Sequence, residues 1–175
     1  MGFFLLEKHR ASELSSELRY GDHPYLRSRR VIFGLCSAAA ATLGVIALYQ
    51  MGILKHLPKA PLPMMDAEKI NSSPEAYSKL STPDAALGVA SYAVTMVLAA
   101  MGPSDRAQRY PLVPLAMAGK LGLDALNAGR LAVNERRKHR SLCSWCLVAV
   151  GATFAAAPFA IGEAREAWNE LRANR

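Results

Sequence analysis

The residues Val31–Leu54, VIFGLCSAAAATLGVIALYQMGIL, decide the fold, because none of them is Asp, Glu, Lys or Arg. The hydrocarbon core of a bilayer is about 30 Å thick, and roughly 20 apolar helical residues cross it. Two further runs without a charged residue are long enough to do the same, Ala85–Ser104 and Ser141–Gly162. The sequence therefore predicts a protein that crosses the membrane several times. It argues against a soluble globule, a disordered tail or a disulfide-rich secreted module.

The composition agrees with one membrane-embedded domain. The chain has 175 residues, of which 51% are hydrophobic and 20% are charged, and its formal net charge is +7. The Lys and Arg residues lie next to the apolar runs, where lipid headgroups would meet them, and no basic face is interleaved with aromatic residues. We therefore expect membrane lipid as a partner and no binding of nucleic acid.

Four membrane-spanning helices are predicted. The third, Tyr110–Val133, is less apolar than the others because it contains Lys120, Asp124 and Arg130. Short connections would make the second, third and fourth spans antiparallel neighbours. The expected fold is an all-α, membrane-embedded four-helix bundle with spans at about 31–54, 84–102, 110–133 and 141–162. Residues 1–30 are expected to form a polar cytoplasmic arm, and residues 163–175 a polar C-terminal helix.

The polar residues of the third span lie on one helix face. Lys120, Asp124 and Asn127 are spaced four and three residues apart. Charged side chains at membrane depth are costly unless they are paired or face the bundle interior or water. The favoured interpretation is a Lys120–Asp124 pair buried between helices. The alternative is a polar wall of a ligand pocket.

The segment between the first and second spans is predicted to be a long loop. It is rich in proline, which fixes φ and lacks an N–H, so one continuous helix cannot form there. The prolines are Pro58, Pro61, Pro63, Pro74 and Pro83. Loops of this length are usually functional.

Cys143-Ser144-Trp145-Cys146 is the strongest chemical motif. Two cysteines three residues apart share a helix face, so their sulfurs can meet. The pair lies at the start of the fourth span, where the helix dipole, unsatisfied N–H groups and preceding basic residues favour a thiolate. We interpret it as a redox-active pair. Two alternatives stay open: a zinc site, for which only His139 is a nearby further ligand, and two inert core residues.

Basic residues before the first span predict the topology. Arg27, Arg29 and Arg30 indicate a cytoplasmic N-terminus, and four crossings then return the C-terminus to the cytoplasm. Cys36, near the cytoplasmic end of this span, would lie in the opposite leaflet from the cysteine pair. That separation is too large for a disulfide, so Cys36 is expected to be a packing residue.

The basic segment Arg136–Arg140 conflicts with this topology, because it would lie outside the cytoplasm, against the usual bias. There it could instead favour the thiolate of Cys143. In the inverted topology the cysteine pair would face the reducing cytosol, and an oxidase role would fail.

Several motifs together resemble the vitamin K epoxide reductase family. They are the proline-rich loop with Ser72-Ser73 and Tyr77, then Pro83-Asp84-Ala85-Ala86-Leu87-Gly88 with Tyr92 in the second span, and the Cys-X-X-Cys at the mouth of the last core helix. The resemblance covers roughly Val31–Ala160. It implies an intramembrane four-helix bundle around a quinone. The cysteine pair would lie at the extracytoplasmic end of the pocket and pass electrons from thiols to the quinone.

The resemblance also implies roles for single residues. Cys146 would face the quinone, and Cys143 would exchange with the incoming disulfide partner. Ser73 (or Ser72) matches the loop Ser/Thr of the family and is expected to be a third catalytic residue. Quinone binding is expected from Asp84, Gly88, Tyr92 and Cys146, and no metal site is expected.

The sequence departs from the family pattern in two places. The loop contains no cysteine, although the family usually has two there that relay electrons to a partner, one of them near Asp66 or Ala67. An internal relay is therefore impossible, and a partner thiol must reach Cys143 directly unless the dithiol chemistry has been diverted. One turn after Cys146, Val150 stands where some members have a Tyr that contacts the ring.

The predicted function is a membrane thiol–disulfide oxidoreductase that passes electrons from a protein dithiol through Cys143 and Cys146 to a quinone, ubiquinone or menaquinone. The expected partner is a thioredoxin-like or other dithiol protein, and the expected location is the cell (inner) membrane. The alternative is a non-catalytic membrane subunit or assembly factor that kept the bundle. The absence of loop cysteines favours this alternative, and the retained pair argues against it.

Overall fold

The computed structural model describes residues 2–57, 67–78, 80–139 and 143–173. The helices are α1 (Gly2–Tyr20), α2 (Pro24–Gln50), α3 (Ala67–Asn71), α4 (Asp84–Ala100), α5 (Arg106–Arg109), α6 (Leu112–His139) and α7 (Ser144–Ala173). A 3₁₀ turn, Pro74–Tyr77, lies between α3 and α4. The predicted all-α fold is confirmed. Part of the predicted loop, including Pro58, Pro61, Pro63 and Asp66, and the start of the predicted fourth span at Ser141 lie outside the described residues.

The four long helices α2, α4, α6 and α7 form the bundle. Helix α2 packs extensively against both α7 and α4, and α6 packs against α7. Helices α4 and α6 contact each other far less. The four helices therefore follow the spatial order α4, α2, α7, α6, and the packing is loosest where α4 and α6 meet.

Three helices extend beyond the predicted spans. Helix α2 begins at Pro24, a residue suited to the first helical turn, and the His23 side chain caps it by accepting a hydrogen bond from the Tyr25 N–H. Helix α6 continues to His139, so its last residues are part of a helix and not of a connector. Helix α7 passes through Pro158 without ending, and the predicted C-terminal helix is its last part.

Two of the described helices, α2 and α7, are long and apolar enough to cross a membrane. Helix α4 is apolar but shorter, with 17 residues. Helix α6 is long but carries the charged residues Lys120, Asp124 and Arg130 within the predicted third span. Four crossings with the predicted boundaries stay a prediction.

Small side chains fill the centre of the bundle. Alanines of α2, α4 and α7 form much of the main buried cluster, which lets the helices approach closely. Cys36, only 1% exposed, belongs to this cluster, as expected for a packing residue. The other buried members are Ile32, Ala39, Tyr92, Ala99, Met117, Leu121, Ala149, Ala156 and Ala160.

Two buried arginines hold the end of α4 remote from the cysteine pair. Arg29, 2% exposed, donates hydrogen bonds to the carbonyl oxygens of Ala99, Met101, Gly102 and Pro103 at 2.7–3.0 Å. The last carbonyls of a helix have no partner within it, and a cation there is also favoured by the helix dipole. Arg29 therefore acts as a helix cap, which corrects its expected position among the lipid headgroups.

Arg106 provides the second contact at this end. Its guanidinium forms a two-pronged ion pair with Glu163 of α7, with both N–O distances 2.7 Å. It also donates to the carbonyl oxygens of Leu98 and Met101. Arg106 and Glu163 are 0% and 1% exposed, so the pair links α5, α4 and α7 inside the protein.

Candidate functional site

A cavity of about 270 Å³ lies at the end of the bundle where α7 begins. It is lined mainly by apolar side chains, with a few polar groups among them. Helices α2, α4, α6 and α7 and the last residue of α3 all contribute. The lining residues are Leu43, Ile46, Asn71, Asp84, Ala85, Leu87, Gly88, Ser91, Tyr92, Asp124, Asn127, Ala128, Leu131, Ala132, Cys146, Leu147, Ala149 and Val150.

The two cysteines of the motif occupy different surroundings. Cys146, half-buried in the first turn of α7, lines the cavity. Cys143 immediately precedes α7, is 0% exposed, and packs in a second buried cluster with Ile46, Ile70 and Ala85. The Cys146 N–H donates to the Cys143 sulfur at 3.2 Å, the geometry of a side-chain cap at a helix N-terminus. Negative charge on the Cys143 sulfur is therefore stabilised by the helix end.

Asn71 is a polar residue that the structure adds to this pair. Its amide Nδ2 donates to the Cys143 sulfur at 3.3 Å and to the Ala67 carbonyl oxygen at 2.8 Å. Asn71 is 3% exposed and lines the cavity. The sequence analysis missed it, although it directly precedes the Ser72-Ser73 motif that was singled out.

Gln50 connects this site to α4. Its side-chain Nε2 donates to Asp84 Oδ1 at 2.8 Å, and its Oε1 accepts from the Ala85 N–H at 3.3 Å. The same Nε2 also lies within 3.5 Å of the Asn71 carbonyl oxygen. The end of α2 thereby fixes the start of α4 and orients the carboxylate of Asp84 at the cavity.

The predicted quinone-binding residues are brought together around one cavity. Asp84, Gly88, Tyr92 and Cys146 all line it. The hydroxyl of Tyr92, however, bonds to Thr153 and to the Ala149 carbonyl oxygen, so the Tyr92 ring rather than its hydroxyl is available as a wall.

Gly88 has a second role in packing. A Cβ built on it would lie 2.4 Å from Leu43 Cδ1, so the missing side chain lets α2 and α4 approach closely.

Ser73 is not brought to the site. It precedes the 3₁₀ turn, where its side chain makes no capping hydrogen bond, and it does not line the cavity. Ser72 is exposed and donates its hydroxyl to the Glu68 carbonyl oxygen. Asn71, and neither serine, therefore contacts the cysteine pair, and the expected catalytic role of Ser73 gains no support from the geometry.

The polar face of α6 also reaches the cavity. Lys120 pairs with Asp124 at 2.5 Å and donates to Ser91 Oγ of α4 at 2.9 Å. Asp124, Ser91 and Asn127 line the cavity. The ion pair and the polar wall, which were alternatives on sequence grounds, are thus both present.

The cavity combines apolar walls with a few polar groups. Ligand sites typically combine apolar walls with a small number of placed polar groups, and this lining has that composition. Within the described residues, no group of three or more His, Cys, Asp or Glu side chains could hold a metal ion; the side chain of His139, the further ligand named for a zinc site, lies outside them.

The model of the vitamin K epoxide reductase family matches residues 30–161, which is most of the chain. Comparisons with curated proteins and with solved structures find no match.

Proposed function

The chain belongs to the vitamin K epoxide reductase family, whose general activity is thiol–disulfide oxidoreduction with a quinone in the membrane, and we propose that Cys143 and Cys146 carry this activity here. The observation that supports the proposal is the position of Cys146 in the wall of the cavity, with the Cys143 sulfur one turn away at the N-terminus of the same helix. A two-electron carrier needs both features, since one sulfur must meet the donor and the other the acceptor.

The proposed electron path begins with a disulfide between the two cysteines. A thiolate of the partner protein attacks the Cys143 sulfur, and Cys146 leaves as a thiolate. The second partner thiol then attacks the mixed disulfide and loses its proton, which leaves the partner oxidised and the pair reduced. A quinone bound in the cavity would accept two electrons and two protons and become a quinol, and the disulfide between Cys143 and Cys146 would form again.

Four groups are proposed to hold the quinone. Asp84, oriented by Gln50, and Asn71, whose amide nitrogen donates to Cys143, form the polar part of the wall beside Cys146. Gly88 and the Tyr92 ring supply wall surface. These residues position the acceptor and exclude water, while the redox chemistry belongs to the quinone.

Access to Cys143 requires a movement of α3. Cys143 is 0% exposed and packs with Ala67 and Ile70 of α3, so a partner sulfur cannot reach it in the observed arrangement. We propose that the partner, a thioredoxin-like or other dithiol protein, displaces α3 when it docks.

The topology proposed with this function places both termini in the cytoplasm of the inner membrane. The cysteine pair would then face the oxidising side, where disulfides form and persist. Arg27 and Arg30 are exposed near the start of α2 and support this orientation. Arg29 is buried, so it does not contact lipid headgroups and does not support the orientation.

A second candidate function is a non-catalytic membrane subunit that kept the bundle. Two observations favour it: the loop contains no cysteine to relay electrons, and Cys143 is covered by α3.

Purified protein in lipid nanodiscs distinguishes the two candidates. We expect quinol formation from ubiquinone or menaquinone analogues when a dithiol donor is added. Cys143→Ser and Cys146→Ser should abolish it, and Cys36→Ser, which removes a buried sulfur from another part of the bundle, should retain it. In Cys146→Ser, the Cys143 thiolate should form a mixed disulfide when the oxidised, disulfide form of the partner is supplied, because one partner sulfur then leaves as a thiolate. Absence of quinol formation by the unaltered protein, with quinone binding intact, would favour the non-catalytic subunit.

A further inference from the structure

The cavity has a second polar end that the proposed electron path does not use. Ser91 of α4 donates its hydroxyl to Asp124 Oδ1 at 3.2 Å and accepts a hydrogen bond from Lys120 Nζ. The side chains of Lys120 and Asp124 are each 19% exposed, so the pair is largely buried. An ion pair at membrane depth is costly unless it serves the interior or a cavity, and Asp124 and Ser91 line this one.

This second polar end, at Ser91, lies two helical turns from the first polar end, at Asp84. Asp84 and Ser91 are seven residues apart on α4, which places them on one face and about 10 Å apart along the helix axis. Gly88 lies between them and also lines the cavity. One wall therefore offers a polar group at each end and an apolar stretch in the middle.

The part of the wall formed by α7 supplies no polar side chain at the depth of Ser91. Beyond Cys146, α7 contributes Leu147, Ala149 and Val150 to the lining. On α6, Asn127 lies one turn from Asp124 and adds an amide to the second polar end.

We propose that Ser91, Lys120 and Asp124 form a second subsite, which binds a ligand oxygen at the end of the ring remote from Cys146. This proposal rests on the proposed function. Ser91 lines the cavity and donates its hydroxyl to the ligand oxygen in place of Asp124 Oδ1, while the Lys120 ammonium, paired with Asp124 behind it, donates to Ser91 Oγ and holds it in place. The fixed ammonium also stabilises negative charge on that oxygen when the ring receives electrons. The cavity therefore selects a head group with two opposed oxygens over one with a single oxygen.

Binding measurements test the subsite without relying on catalysis. Trp145 packs at the edge of the cluster around Cys143, and its fluorescence in a Trp168→Phe background reports on ligands that quench it. We would titrate 1,4-naphthoquinone, which has two opposed carbonyl oxygens, into the protein in nanodiscs. The affinity for 1-tetralone, with one carbonyl oxygen, would be measured by competition.

Ser91→Ala should weaken naphthoquinone binding about five- to tenfold, the usual effect of losing one hydrogen bond, and should leave the affinity for tetralone unchanged. Ser37→Ala is the matched control, because its hydroxyl bonds within the bundle to Phe33 O and Met96 Sδ and does not line the cavity. It should bind both compounds as the unaltered protein does.

The double variant Lys120→Met/Asp124→Leu tests the ion pair without leaving a single buried charge. We expect a loss of naphthoquinone affinity of tenfold or more, with the unfolding temperature reported alongside. Unchanged naphthoquinone binding in both variants, or an equal loss for both compounds, would overturn the subsite.

The selectivity is measured without a dithiol donor, because binding does not need electron transfer. If Ser91→Ala binds naphthoquinone normally and its cysteines are active, the subsite proposal is wrong and the proposed function stands. If the protein binds naphthoquinone selectively but forms no quinol, the proposed function is wrong and the subsite stands.

Discussion

The amide of Asn71 donates to the sulfur of Cys143 at 3.3 Å, across the boundary between the loop and α7. Together with the Cys146 N–H it gives this sulfur two hydrogen-bond donors in a site that is closed to solvent. Donors of this kind favour an anionic sulfur, which is the reactive form in disulfide exchange. The same residue belongs to α3, the element that covers Cys143. Opening of the site for a partner therefore removes a stabilising contact as it exposes the sulfur.

Asn71→Asp should slow the alkylation of Cys143 by iodoacetamide about fivefold or more, measured in a Cys36→Ser/Cys146→Ser background. The substitution keeps the shape of the side chain, but it replaces a donor by a carboxylate that repels a thiolate. Asn71→Ala is the control, because it removes the donor without adding charge. An Asp variant that reacts as fast as the unaltered protein would contradict the assigned contact.

Gly88→Ala should lower the free energy of unfolding by about 1 kcal/mol, because its Cβ would meet Leu43 Cδ1, the end of a flexible side chain that must then shift. Thermal unfolding in detergent measures the change. Combined with Leu43→Ala, the total loss should be smaller than the sum of the two single losses, because Leu43→Ala removes the close contact. Gly44→Ala is the matched control: its Cβ would meet no atom within 4 Å, and it should be neutral or stabilising, since Ala favours helix. Equal destabilisation by both single variants would be evidence against close packing at Gly88.

Arg106→Met should destabilise the protein by about 3–5 kcal/mol, because it leaves Glu163 as a buried charge without its counterion. The double variant Arg106→Met/Glu163→Met should recover part of this loss. Arg109→Met removes an ion pair with Asp105 whose side chains are 67% and 37% exposed, and it should cost less than about 1 kcal/mol. Similar unfolding temperatures for Arg106→Met and Arg109→Met would disprove the difference between the two pairs.

The docking of α1 should depend on pH through Glu17. The Ser104 N–H donates to its carboxylate at 3.0 Å, and hydrogen bonding with Ser104 lowers the pKa of Glu17 below the ordinary value of 4.5. A lowered folded-state pKa means that this contact contributes fully above pH about 4.5 and is lost as pH falls through the depressed pKa. Hydrogen exchange of α1 should therefore accelerate on acidification in this range. Glu17→Gln should show little of this pH dependence, and an unchanged acid response would contradict the contact.

Local patterns in the sequence were sufficient for much of the fold and for the cysteine pair. Uncharged runs indicate the apolar helices α2, α4 and α7, and the spacing of Cys143 and Cys146 places both at one helix start. Asp84 and Tyr92 were found because they belong to a motif that resembles a family. The contacts of Gln50 and Asn71 could not be read in this way, since their partners are more than 20 residues away and depend on how the loop returns to the bundle.

Two expectations show where local reasoning is insufficient. Arg29 has the sequence context of a headgroup contact, but its guanidinium reaches the carbonyl end of α4, about 70 residues later in the chain. Ser73 was selected by its place in the loop motif, yet a register difference of two residues decides that Asn71 meets the sulfur. Burial is set by tertiary packing, and a motif fixes neither the turn that follows it nor the side chain that turns inward.

The loose packing between α4 and α6 affects how a ligand reaches the cavity. If the protein acts on a quinone as proposed, a molecule that enters between α4 and α6 comes sideways from the acyl chains and never has to dissolve in water. Its mole fraction in the lipid, rather than its aqueous concentration, then governs how often the cavity is filled. A long isoprenoid tail can stay among the lipids while only the ring is enclosed, so turnover should respond to the lipid-to-protein ratio at constant total quinone.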